Sequence, residues 1–174
     1  FGNARATRSE GRHGLASRLE GLSPYAAQQV VAAAQAIESG GPDQAAAQLA
    51  PALAAYPAHP EVLRVHAGIL NLRGDSTGAI ATMRKAITGR PDDPLYYNTL
   101  GSFLGSHGDY DGAIEALRHA CRLQPDLAIA WFNLGVMLTR CVRQAEAIEA
   151  LQRAIALDPE YMPARAVLGE TLST

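Results

Sequence analysis

The chain has 174 residues, which is enough for one domain with its own hydrophobic core. Its residues are 48% apolar but only 6% aromatic, and much of the apolar content is alanine and leucine, which favours helices over strands. The net charge of −2 at pH 7 excludes a general electrostatic attraction to nucleic acid or to an anionic membrane.

Residues 1–23 combine arginines and glycines without a sustained helical period. They are predicted to form a linker or tail, with a short helix within 15–22. Ser23 followed by Pro24 has the form of an N-cap and a first helical residue. The first long helix is therefore predicted to begin at Pro24.

From there on, apolar residues recur at helical spacing in paired segments of about fourteen residues. The predicted helices cover 24–39, 42–55, 60–73, 76–89, 94–107, 110–123, 128–141 and 144–157, followed by a lone helix from about 162. Glycine stands where the first helix of a pair ends, at Gly40, Gly74 and Gly108, and is predicted to be left-handed there. Val142 takes this place in the fourth pair, which predicts a strained turn.

The paired segments repeat every 34 positions. The repeating columns hold Pro57, Pro91, Pro125 and Pro159; Ala45, Ala79, Ala113 and Ala147; Leu49, Met83, Leu117 and Leu151; and Ala52, Ala86, Ala120 and Ala154. A further column of small residues, predicted to allow close helix packing, holds Ala33, Ala67, Gly101 and Gly135. A fixed period of this length indicates a solenoid of helix pairs.

The fourth pair has the most complete motif, which consists of Trp131, Leu134, Gly135, Leu138, Ala147, Leu151 and Pro159. This pattern resembles the tetratricopeptide repeat (TPR). The resemblance covers four repeats, at about 26–59, 60–93, 94–127 and 128–161, and residues 162–174 resemble the first helix of a truncated fifth repeat or a cap. It implies an all-α fold, a right-handed TPR superhelix of antiparallel helix pairs.

Chemistry-bearing residues do not cluster at any spacing that such a fold would bring together. His107 and Cys141 share one place in adjacent repeats, but two ligands do not make a zinc site. Cys121 is predicted to be a small buried hydrophobe. We therefore predict no catalytic residue, no metal and no cofactor for this chain, although a catalytic domain downstream stays open.

The resemblance implies that the first helices line a concave groove that contacts a protein or peptide ligand. Carried onto this chain, the family's contact places are Glu61, Arg64, Asn71, Asn98, Thr99, Ser102, Ser106, Phe132, Asn133, Thr139 and Arg140. Asparagine amides can both donate to and accept from the backbone of an extended peptide. The adaptors that grip chaperone tails use lysines in this groove, but Lys85 is the only lysine here and lies on a second helix.

Two functions from different classes remain. The first is a protein–protein interaction module, a fragment of a larger bacterial protein. The second is the non-catalytic, substrate-presenting region of a sulfotransferase or glycosyltransferase, because runs such as 59–63 and 90–94 resemble bacterial TPR arrays that precede a sulfotransferase domain. Self-association through exposed terminal helices is a further partner hypothesis, and the N-terminal tail of another molecule, with Arg5, Arg8 and Arg12, is one candidate groove ligand.

Cysteine usage and hydropathy predict the compartment. Two cysteines are too few for a secreted disulfide scaffold and favour a reducing environment. No apolar run approaches the ~20 residues that cross a bilayer, and the N-terminus lacks the apolar core of a signal peptide. A cytoplasmic protein that binds neither nucleic acid nor membrane is expected.

Overall fold

A computed structural model of the chain describes residues 14–172. In this part of the chain all regular elements are helices, in the order α1 (Pro24–Glu38), α2 (Pro42–Ala55), α3 (Pro60–Leu72), α4 (Ser76–Gly89), α5 (Pro94–His107), α6 (Tyr110–Leu123), α7 (Ala128–Arg140), α8 (Gln144–Leu157) and α9 (Met162–Leu172). A short helical turn over 14–18 precedes them. These bounds lie within one residue of those expected from the sequence, and the all-α prediction is confirmed.

The helices pack as antiparallel pairs, α1 with α2, α3 with α4, α5 with α6 and α7 with α8. Each second helix also packs on the first helix of the next pair. Among the first helices, α1 contacts α3 and α5 contacts α7. Within residues 14–172 the second helices make no comparable contact with one another. The array therefore curves with its first helices on the inside, and forms a right-handed superhelix whose concave face is built from the first helices.

Small residues allow the two helices of a pair to cross closely. The side chains of Ala33, Ala67, Ala45, Ala79, Ala113 and Ala147 are all fully buried. A Cβ atom on Gly101 would lie 2.6 Å from Cγ of Leu117, and one on Gly135 would lie 2.6 Å from Cγ of Leu151. Real Cβ atoms do not approach other carbons so closely, and the branched carbon of a buried leucine has little room to move. Glycine is therefore required at these two crossings.

The turns within the pairs use left-handed backbone. Gly40, Gly74 and Gly108 have φ angles of 75°, 84° and 90°. Val142, at the equivalent place of the fourth pair, has a φ of 58° and is the only non-glycine residue with positive φ among the described residues. The Cβ of an L-residue crowds the backbone in this conformation, and a β-branched side chain crowds it further. The strained turn predicted at Val142 is confirmed.

Replacing Val142 with glycine is expected to stabilise the protein. The side chain is 87% exposed, so the change loses almost no packing. Relief of the strain should raise the unfolding free energy by about 1 kcal/mol and the melting temperature by about 2–4 °C. The melting temperature of Val142→Gly is compared with that of Gly108→Val, because the second change imposes the same strain at the equivalent turn. The first variant should gain stability and the second should lose it, and a melting temperature lowered by Val142→Gly would contradict the strain.

The leading segment, residues 14–22, corrects one prediction. It was expected to belong to a linker or tail, but Leu19 and Leu22 pack against the hydrophobic core formed by α1, α2 and α3. The Glu20 carbonyl oxygen lies 3.0 Å from Nε2 of His59, and the Ser23 amide donates to the Tyr56 hydroxyl at 3.2 Å. The leading segment is thus part of the folded array. Residues 1–13, with the arginines considered above as a groove ligand, lie outside the described residues.

Candidate functional site

Two predicted groove amides form a bridge across the concave face. Nδ2 of Asn133 on α7 donates to Oδ1 of Asn98 on α5 at 2.9 Å, and it lies 3.5 Å from the Ser102 hydroxyl. All three side chains are half-buried. Within the described part of the chain, Nδ2 of Asn98 and Oδ1 of Asn133 have no hydrogen-bond partner. The bridge therefore leaves the NH₂ group of Asn98, with two N–H donors, and the side-chain oxygen of Asn133, with two lone pairs, available to a ligand.

Hydroxyl groups beside this bridge bond to their own helices. Thr99 donates to the Leu95 carbonyl at 2.8 Å, Ser102 to the Asn98 carbonyl at 3.1 Å, and Ser106 to the Ser102 carbonyl at 2.9 Å. Bonds of this kind satisfy the hydroxyl proton within the helix and leave its oxygen able to accept. The hydroxyls of the groove are thus acceptors for a ligand's N–H groups rather than donors.

The remaining predicted contacts of the fourth pair are partly taken up by neighbouring elements. The Phe132 ring packs edge-on against Tyr161, with 5.1 Å between centroids. Thr139 donates to the Gly135 carbonyl and lies 3.3 Å from the Thr171 hydroxyl of α9. Arg140 is exposed, and its guanidinium lies 6.0 Å from the Tyr110 ring centroid.

The second pair differs most from expectation. Glu61 was predicted to contact a ligand, but its side chain is only 1% exposed. Arg64 donates to both of its carboxylate oxygens, at 3.0 and 2.8 Å, and the hydroxyl of the fully buried Tyr96 donates to it at 3.0 Å. Glu61 is therefore an internal acceptor between α3 and α5. Asn71, also predicted as a contact, is half-buried on the last turn of α3.

Burial and the Glu61 carboxylate shift the pKa values of Arg64 and Tyr96. Burial alone would lower the pKa of Arg64, but the hydrogen bonds and negative charge of Glu61 outweigh it and raise that pKa. Burial, followed by the charge of Glu61, raises the pKa of Tyr96 far above its ordinary value. Arg64 thus stays charged and Tyr96 stays neutral, which keeps both as hydrogen-bond donors to Glu61.

A trough of about 1360 Å³ runs along the edge of the concave face where the first helices begin. Its walls come from the turns at 89–95, 124–129 and 157–160, and Ser17 and Arg18 of the leading segment close one end. Leu95, Leu127 and Ile129 give it apolar surface. Its ionisable side chains are five carboxylates and two guanidinium groups, from Asp92, Asp93, Asp126, Asp158, Glu160, Arg18 and Arg90. We call it the concave trough.

None of the predicted contact residues lines the concave trough. The concave trough therefore lies about one helical turn beyond the predicted contact residues, towards the N-terminal ends of the first helices. One sequence signal points to it, because Asp92, Asp126 and Glu160 form an acidic column at the same 34-residue period as the prolines. Residues in turns between helices are exposed in a solenoid, so an acidic column there indicates a charged edge.

A smaller cleft of about 260 Å³ lies between α6, α7 and α8, away from the concave trough. Trp131, Leu134 and Cys121 line it, and Arg118 forms an ion pair with Glu146 at its rim. Cys121 is buried, as predicted, and burial raises the pKa of its thiol to about 11. A thiol that stays protonated is a poor nucleophile, so this cleft has no activated group.

Residues 14–172 contain neither a metal-binding cluster nor a membrane-spanning helix. No group of three or more histidine, cysteine, aspartate or glutamate side chains in this range could hold a metal ion. Within the same range, no helix has both the length and the apolar character that crossing a bilayer requires.

Comparisons with solved structures show the same fold in other proteins. MamA 41-end from Desulfovibrio magneticus RS-1 is 24% identical, with a TM-score of 0.71 over 87% of this chain and 85% of that chain. PilF of Pseudomonas aeruginosa is 20% identical, with a TM-score of 0.79 over 86% and 68%. The first TPR of Spaghetti (RPAP3), bound to the HSP90 peptide SRMEEVD, is 18% identical, with a TM-score of 0.64 over 66% and 90%.

No curated protein matches the chain significantly. A family model described as the tetratricopeptide repeat matches residues 36–94 and 99–161, which together make up more than half of the sequence. The chain therefore belongs to the tetratricopeptide-repeat family.

Proposed function

We propose that this chain is a protein-interaction module that binds an extended polypeptide along its concave face. The observation that carries the proposal is the Asn98–Asn133 bridge between the first helices α5 and α7, in which the Asn98 NH₂ group and the Asn133 oxygen have no partner among the described residues. An extended peptide backbone offers alternating N–H and C=O groups that such an amide pair can bind. The repeats proposed to carry the module are those at 26–59, 60–93, 94–127 and 128–161.

The charge of the concave trough supports a particular class of ligand. RPAP3 binds the acidic peptide SRMEEVD with a TPR of the same fold. Here five carboxylates and only two guanidinium groups line the trough, and Lys85 lies on the exposed side of α4. Like charges facing each other across an interface disfavour binding. A neutral or basic polypeptide, rather than an acidic chaperone tail, is the ligand we propose.

Removing the amide bridge is expected to weaken binding without unfolding the protein. The probe is a peptide selected on the unmodified chain from a random display library, with its Kd measured by calorimetry. Asn98→Ala combined with Asn133→Ala should weaken binding by about 1–3 kcal/mol, or roughly 5- to 150-fold in Kd. Because both partners of one hydrogen bond are removed together, neither is left unsatisfied and the melting temperature should stay nearly unchanged.

The matched control is alanine at Arg84 and Arg118, which lie on the second helices α4 and α6. These changes should leave the Kd of the selected peptide within about twofold. If the arginine variant bound the peptide more weakly while the asparagine variant bound it as the unmodified chain does, the ligand would lie on the convex face and the proposal would be refuted.

Other parts of the functional hypothesis stay predictions. The context of a sulfotransferase or glycosyltransferase is one of them, and the cytoplasmic location is another. Self-association is a third, for which the exposure of Met162 (65%) and Leu172 (61%) on the terminal helix α9 supplies apolar surface. Light scattering over a range of concentrations tests that third prediction.

A further inference from the structure

The leading segment places an arginine between two carboxylates. Nε of Arg18 lies 3.8 Å from Oε2 of Glu61, and its Nη1 lies 3.9 Å from Oδ2 of Asp93. Glu61 lies in the first turn of α3 and Asp93 caps α5, so the two acids lie at the N-terminal ends of successive first helices. The three side chains are 15%, 1% and 13% exposed. Glu61 also accepts two hydrogen bonds from Arg64, so the two carboxylates share two guanidinium groups, of which Arg64 is hydrogen-bonded and Arg18 is not within hydrogen-bond distance.

The fit of Arg18 in this site is loose. Both distances exceed those of a charge-assisted hydrogen bond, which are about 2.7–2.9 Å. Nε of Arg18 is buried and has no hydrogen-bond acceptor. The planar fork of a guanidinium group can bind carboxylates at two points, and Arg18 does not achieve this. With Arg64 bonded to Glu61, the charge of Asp93 attracts a second guanidinium group, and the present geometry holds that of Arg18 only loosely.

Other contacts hold the segment near the site. Ser17 accepts a hydrogen bond from Nη2 of Arg90 at 2.8 Å, and Leu19 packs against the hydrophobic core of the first repeats. Arg18 therefore stays at a high local concentration beside the two acids, even when its own ion pairs break. It also lies at one end of the concave trough, where a bound polypeptide would meet it.

We infer that Glu61 and Asp93 form a guanidinium-binding site at the end of the concave trough, which Arg18 fills in cis and from which an arginine of a bound polypeptide displaces it. This inference rests on the proposed function and names its ligand class, an arginine-containing peptide. The leading segment then acts as an internal competitor that lowers the affinity of the groove. Every arginine-containing ligand must displace Arg18, and the free energy of that displacement weakens its apparent affinity.

The probe for the test is a synthetic peptide with the sequence of residues 14–22, GLASRLEGL, and a twin in which neutral citrulline replaces arginine. Binding is measured by fluorescence anisotropy to the full chain, to Arg18→Gln, and to Arg18→Gln with Asp93→Asn. Asparagine keeps the helix cap that Asp93 supplies to Leu95, so this variant should fold. Arg153→Gln, an exposed change on α8, is the matched control for loss of one positive charge.

We expect the arginine peptide to bind Arg18→Gln about tenfold more tightly than the unmodified chain, and to lose that gain when Asp93→Asn is added. Arg153→Gln should bind like the unmodified chain, and the citrulline peptide should not distinguish the variants. Equal binding of the two peptides to Arg18→Gln, or no binding of either, would overturn the inference. The two failures can be distinguished with a library-selected peptide that contains arginine. If its binding depends on the asparagine pair but does not change with Arg18→Gln, only the guanidinium site is refuted.

Discussion

Gly135→Leu is expected to destabilise the protein by about 3 kcal/mol, the upper end of the usual cost of overpacking. Even the first carbon of a new side chain would lie 2.6 and 2.8 Å from two carbons of the fully buried Leu151. The added leucine must therefore push α7 and α8 apart. Chemical denaturation gives the free energy, and hydrogen exchange shows where it is lost. Because repeats couple mainly to their neighbours, protection should fall in the third and fourth pairs before the first.

Gly105→Ala is the matched control for this prediction. A Cβ at Gly105 would contact the sulfur of Met137, which is the flexible part of an unbranched side chain. Met137 can rotate away, and alanine favours the helix by about 1 kcal/mol over glycine. We expect a change near zero. If Gly135→Leu proved as mild as Gly105→Ala, or if exchange rose uniformly along the chain, the tight crossing and the solenoid coupling would both be contradicted.

Glu61→Ala is expected to cost about 2–4 kcal/mol. The change removes the acceptor of two Arg64 hydrogen bonds and one from Tyr96. Arg64 would then keep a poorly compensated charge, while the buried hydroxyl of Tyr96 would lose its partner. The cost falls below that of a fully buried pair because the Arg64 side chain is 27% exposed and can turn towards water.

Tyr96→Phe gives the comparison for the Glu61 prediction. It removes one neutral hydroxyl and keeps the ring in the core, so a loss of about 1 kcal/mol is expected. Urea denaturation of the two variants measures both values. A cost for Glu61→Ala no larger than that of Tyr96→Phe would show that Glu61 is a solvated groove residue after all, as the sequence had suggested.

The fold could be predicted almost completely from the sequence because the interactions that build it are local and repeated. A close crossing needs a small residue at one place of the first helix and alanine at a fixed distance, and the chain meets this condition in four successive pairs, as at Gly135 and Ala147. Caps at Ser23 and Asp93 lie where their side chains accept from backbone amides three and two residues later. The spacing of small residues and the helix caps can therefore both be recognised within a single repeat.

The site was less predictable because its side chains take their roles from other repeats. Glu61 occupies a position of α3 that faces the groove in the repeat pattern, but its burial depends on Tyr96, 35 residues later. The position of Asn98 was predicted, whereas its bond to Asn133 depends on the curvature that brings α5 against α7. The leading segment has no period at all, so its docking through Ser17 and Arg18 had no signal in the pattern.

Binding at the concave face is tested most directly by mapping where a selected peptide binds. Backbone amide chemical shifts of the ¹⁵N-labelled chain are followed while the library-selected peptide is titrated. We expect the largest changes on the concave side, on α3, α5 and α7 and in the turns at 89–95 and 124–129. Changes confined to α4, α6 and α8, including the cleft beside Trp131, would contradict a concave binding face.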